Sequence, residues 1–109
     1  MLKRALILML GIASSSAFAG ELVRDATVLE VANTNTNDAS YAVLVTGGIG
    51  PCAGTAVWIF FPDSRKASAD SFNQGYATAL AALAADKKVR IHNFLDNSCG
   101  GASFIAISR

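Results

Sequence analysis

Between residues 23 and 61 three apolar runs alternate with asparagine- and glycine-rich breaks. Val23–Ala32 is rich in β-formers, and its alternation predicts a strand with Leu29 and Val31 on one face and Glu30 on the other. Residues 33–38 (NTNTND) form a polar turn whose side chains can bond their own backbone. Tyr41–Thr46 and Ala56–Phe61 are the second and third strands. Their cores, YAVLV and AVWIFF, do not alternate, which predicts that both faces of each strand are covered. Pro62 ends the third strand, having no N–H for a ladder, and residues 63–66 (DSRK) make an exposed loop.

The period then changes. From Ser68 or Ala69 to Asp86 the alanine content favours helix, with Ser68 or Asp70 as the N-cap. Phe72, Tyr76, Leu80 and Leu83 form an apolar stripe predicted to lie on the sheet. The opposite face, Gln74, Ala77, Thr78, Ala81 and Ala85, carries no charge. A solvated helix face normally does, so these five are candidate self-association residues, although alanine propensity alone also accounts for them. Lys88–Phe94 is a fourth strand with Val89 and Ile91 inward and Arg90 and His92 outward. Residues 96–101 turn, and Ser103–Ser108 is the last strand. The order predicts an α+β fold, mainly β. It is a five-stranded antiparallel OB-like sheet or small barrel with one helix between strands 3 and 4.

The chain opens MLKRALILMLGIASSSAFAGE. Lys3 and Arg4 precede an apolar core and an Ala17-Phe18-Ala19 site, the layout of a signal peptide over residues 1–19. That core is shorter than the roughly 20 apolar residues a membrane span needs. The mature chain is then a single domain, residues 20–109, expected in the periplasm or secreted and without a membrane span. Loss of Lys3 and Arg4 leaves seven Lys or Arg against eight Asp or Glu. This balance does not suggest nucleic acid as a partner.

Export changes how the two cysteines are read. Cys52 and Cys99 both sit in glycine-rich turns, and an even count in an oxidising compartment predicts a disulfide. The rivals are a nucleophilic thiol served by His92, the only histidine, and a metal site. A metal needs three or four ligands, more than two distant cysteines and one histidine provide. Gly47, Gly48, Gly50 and Gly54 match neither phosphate-binding glycine pattern and lead into a strand, so GGIGPCAG is predicted to be a disulfide-pinned turn. No motif calls for a cofactor. General acid–base catalysis would need paired carboxylates or a partnered histidine, and no spacing brings together Asp63, Asp70 and Asp96.

The run SFNQGYATALAALAADKKVRIHNF, residues 71–94, resembles the helix-to-strand segment of B subunits from subtilase-cytotoxin-like and pertussis-like AB5 toxins. The GPC turn and helix also resemble a group of small bacterial secreted proteins. The toxin resemblance implies a secreted, disulfide-bonded, OB-like, non-catalytic subunit that forms pentameric rings and binds sialylated glycans. His92 and Asn93 stand where the toxins carry a sugar-pocket aromatic, so no toxin site residue is carried over. The residues themselves supply a candidate ligand site: Arg90, His92, Asn93, Phe94, Asp96 and Asn97. Trp58 could add an aromatic platform but reads more simply as core or interface, and His92 and Arg90 as solvated strand positions. The reading is a non-catalytic binding module, glycan-binding and oligomeric. The alternative is a structural or inhibitory envelope protein that binds another secreted protein.

Overall fold

The computed structural model describes residues 20–34 and 39–109; the predicted signal peptide and most of the NTNTND turn fall outside them. Five strands form one sheet: β1 (Glu21–Asn33), β2 (Ala39–Gly47), β3 (Gly54–Pro62), β4 (Lys88–His92) and β5 (Phe104–Ser108). Helix α1 (Ala69–Ala85) lies between β3 and β4, as predicted. The order across the sheet is β3-β2-β1-β4-β5, with every neighbouring pair antiparallel.

The central strand serves two partners with its two halves. Thr27–Asn33 pairs with β2 and Glu21–Thr27 with β4. Register shifts along β1, with Asp25 at φ 58°, divide it between them, since bulges bend a strand and increase its twist. One of these shifts corrects the predicted alternation. It falls between Val28 and Glu30, so Leu29 is displaced to 47% exposure while Val31 packs on the core.

The face beneath α1 holds the core: Val43, Val45, Ile59, Val89 and Ile91 are fully buried. The predicted covering of both faces holds along β2, where Tyr41, Ala42, Val43 and Val45 are buried and Leu44 is half-buried, but not along β3. Trp58 and Phe60 project from the other face and are each 37% exposed. The physical reason is that α1 packs on β1, β4 and β5 from one side and the sheet stays open. A short seam joins its ends: the Phe60 N–H donates to the Cys99 carbonyl (2.9 Å) and the Ala102 N–H to the Phe60 carbonyl (3.0 Å).

Ser68 caps α1, its Oγ accepting from the Ser71 N–H at 3.0 Å. Asp86 ends it in the left-handed conformation, and the Lys87 N–H donates to the Ala82 carbonyl (3.0 Å). The buried stripe differs from the predicted one. Ala79 and Ala82 are buried and Phe72 and Tyr76 pack on the core, whereas Leu80 and Leu83 are exposed. The first half of α1 thus packs large residues on the core and the second half small ones.

The glycine-rich turn straps across β1. Arg24 and Ile49 exchange backbone hydrogen bonds at 3.0 Å, and the Cys52 N–H donates to the Leu22 carbonyl at 2.9 Å. A Cβ on Gly48 or Gly50 would stand 2.4 Å from the Arg24 carbonyl oxygen or 2.3 Å from that of Leu22. These glycines serve close backbone approach. The Cys52–Cys99 disulfide then ties this turn to the loop before β5. Among the described residues no helix is long and apolar enough to cross a membrane.

Candidate functional site

Alternation along β4 buries Val89 and Ile91 and turns Arg90 and His92 to the outer face. The register places Phe104 of β5 opposite His92, and Phe94 follows as the chain leaves the strand. The three rings form one cluster. His92 stacks on Phe94 with centroids 5.5 Å apart, Phe104 meets His92 edge-on at 5.1 Å, and Phe94 lies 5.9 Å from Phe104. The Arg90 guanidinium sits 5.6 Å above the Phe104 ring, within cation–π range. Phe94 remains 66% exposed.

Glu21 of β1 is the acidic neighbour, with its Oε2 3.5 Å from His92 Nε2. That nitrogen is buried and makes no hydrogen bond with any described residue. Burial holds the imidazole below its ordinary pKa, Glu21 opposes this and Arg90 reinforces it. His92 is therefore a neutral ring at neutral pH, suited to stacking.

Asn93 and Asp96 behave differently from the expected ligand contacts. Asn93 is fully buried. Its Oδ1 accepts from Arg65 Nη1 (3.0 Å) and from the Leu95 and Asp96 N–H groups (3.0 and 3.2 Å). Its Nδ2 donates to Asp96 Oδ1 (2.6 Å) and to the Ser98 carbonyl (2.9 Å). Asn93 thus shapes the loop from within. Asp96 is exposed but committed: it accepts from the Ser98 N–H at 2.9 Å and pairs with Arg65 at 3.6 Å. The Ser98 N–H, then Asn93 and Arg65, hold its carboxyl below the usual carboxylate range.

The loop so built opens a groove of about 360 Å³ beside Phe94, lined also by Gly20, Asn93, Leu95, Asp96 and Asn97. Of the six candidates, Arg90, His92 and Phe94 thus share the aromatic platform, Asn97 joins its rim, and Asn93 and Asp96 support the loop. Sequence reasoning missed Phe104, Glu21 and Arg65. Period-two alternation across an assumed β4–β5 hairpin could have found Phe104. Arg65 reaches Asn93 across 28 positions and carries no local signal. Trp58 lies on β3, outside this cluster. On α1, Gln74, Ala77, Ala81 and Ala85 are exposed, while Thr78 is half-buried with its Oγ1 donating to the Gln74 carbonyl (2.8 Å). Among the described residues no three His, Cys, Asp or Glu side chains gather as a metal site.

A family of unknown function, DUF5992, matches residues 2–109. The chain belongs to that family. No curated protein and no solved structure matches it. For this DUF5992 member the disulfide fits an exported protein.

Proposed function

We propose that this chain is an exported, non-catalytic binding module that recognises glycans through its outer-face aromatic platform, in the manner of a toxin B subunit. The observation that carries the reading is the platform itself: the exposed Phe94 ring, braced by His92 and Phe104, at the edge of a polar-rimmed groove. A pyranose has a C–H face that buries well against such a ring, and its hydroxyls match an amide such as that of Asn97. The resemblance of residues 71–94 to AB5 B subunits supports the same reading. Oligomerisation through α1 belongs to it, because Leu80 and Leu83 extend the charge-free surface of Ala77 and Ala81. The test is a glycan array probed with the oxidised chain 20–109, with its mass in solution measured alongside. Reproducible binding to glycans recovered unchanged supports the proposal, and a blank array refutes it.

One observation favours the alternative, a module that binds another exported protein. Phe60 turns its N–H and C=O toward residues 99–102, so by strand alternation Trp58 and Ala56 present theirs at the same edge, beyond the seam. Residues 54–61 (GTAVWIFF) carry no charge. An apolar edge of this kind is a template for strand addition. Quenching or shift of the fluorescence of Trp58, the sole tryptophan, by a protein and not by a glycan would favour this reading.

A further inference from the structure

On the helix side, the first half of α1 and residues 102–105 enclose a cleft of about 210 Å³ with Tyr41 in its wall. Tyr41 is 2% exposed. Its ring is fixed on three sides: stacked on Phe61 at 4.5 Å, and edge-on to Phe72 at 5.0 Å and to Tyr76 at 5.3 Å. The hydroxyl therefore cannot turn elsewhere, and it makes no hydrogen bond with any described residue. The fully buried, unpartnered side-chain atoms among the described residues are His92 Nε2 and Ser108 Oγ, so the Tyr41 hydroxyl keeps a narrow opening onto the cleft, where a ligand can meet it. Gly75 makes the room for it: a Cβ there would stand 2.6 Å from Tyr41 Oη. A glycine inside a helix is itself unfavourable relative to alanine, so α1 gives up helix stability at the point where this hydroxyl meets the cleft.

We propose that the cleft is a binding site for one uncharged sugar ring, to which the Tyr41 hydroxyl donates a hydrogen bond. Burial raises the phenol's pKa far above its ordinary value, so it stays a donor at any physiological pH. The charge of the lining excludes an ionic ligand. No carboxylate lines the cleft, and its one cation, Lys66, is already 2.6 Å from Asp63. Aromatic walls with Ser71, Gln74 and Ser103 at the rim suit a ring with apolar faces and hydroxylated edges. The volume lies below the roughly 300–1,000 Å³ of sites for drug-sized ligands, which limits the occupant to a single ring. The inference extends the carbohydrate reading to a second place and rests on the same ligand chemistry; the cleft shares the Phe104 ring with the platform but not Phe94.

The test is amide-shift mapping by NMR of the oxidised chain with D-glucose, D-galactose, D-mannose and N-acetyl-D-glucosamine, each titrated to millimolar concentration. At least one sugar is expected to give saturable shifts at Gly75, Thr78 and Ser103. Tyr41→Phe should weaken it roughly tenfold, the contribution of one well-made hydrogen bond, and Gln74→Ala should also weaken it. Phe94→Ala should leave these shifts unchanged, so a blank array with intact cleft binding would overturn the platform and not the cleft. Tyr41→Phe should melt at or above the wild-type temperature, because the hydroxyl it removes has no partner in the fold. The proposal is overturned if no sugar gives saturable shifts, if they map to residues 90–97, if Tyr41→Phe binds as wild type, or if it melts well below it.

Discussion

Asn93 organises the loop after β4 from a fully buried position, using its Oδ1 for three donors and its Nδ2 for two acceptors. Truncation would leave several of those groups unpaired. Asn93→Ala is expected to cost about 2–3 kcal/mol in denaturant unfolding, while Asn97→Ala, on the exposed rim, should change stability by less than about 0.5 kcal/mol. His92 makes a second prediction at this scale. Its folded pKa lies below the ordinary value of 6.5, so the unfolded chain takes up the proton first as the solution is acidified. The stability of the neutral, stacked ring is fully present above about pH 6.5 and is lost as pH falls through the folded pKa. The melting temperature should therefore fall on acidification below about pH 6.5, and His92→Gln should flatten that part of the profile. A melting temperature that rose there would mean that Glu21 outweighs burial and Arg90.

At the scale of elements, the helix shows what periodicity can and cannot convey. Cap, ends and place between β3 and β4 were legible, because Ser68, the alanine run and Asp86 act locally. The stripe was read from Leu80 and Leu83, since large apolar residues weigh most in a periodic pattern. The sheet instead receives Ala79 and Ala82, which tertiary packing decides and periodicity does not. Ala79→Leu should then destabilise by about 1–3 kcal/mol through overpacking, and Leu80→Ala by less than about 1 kcal/mol; the reverse ranking in thermal melts would place the helix differently. Strand β1 teaches the same lesson, for alternation predicts Leu29 beside Val31 until a bulge displaces it. In the candidate site, outward Arg90 and His92 followed from period two. The burial of Asn93 did not, because it depends on Arg65, which arrives from the far side of the helix.

For the whole molecule, the disulfide and the seam at Phe60 do together what barrel closure would do: they hold the β3 end of an open sheet to the loop that leads into β5. The bridged residues are 47 positions apart, and a loop of that length is worth about 4 kcal/mol in the chain-entropy model. Reduction should lower the unfolding free energy by about that amount, measured by denaturant titration with and without reductant. With the frame so held, the proposed reading has the outer face meet a ligand, with Phe94 toward one end of the sheet order and Trp58 on the strand at the other. The measurement that tests this most directly is one glycan array probed in parallel with wild type, Phe94→Ala and Trp58→Ala. Wild type and Trp58→Ala are expected to bind the same glycans, and Phe94→Ala to lose at least about tenfold in signal, as for a truncated aromatic anchor. A blank array for wild type, or equal binding by Phe94→Ala, would contradict the account.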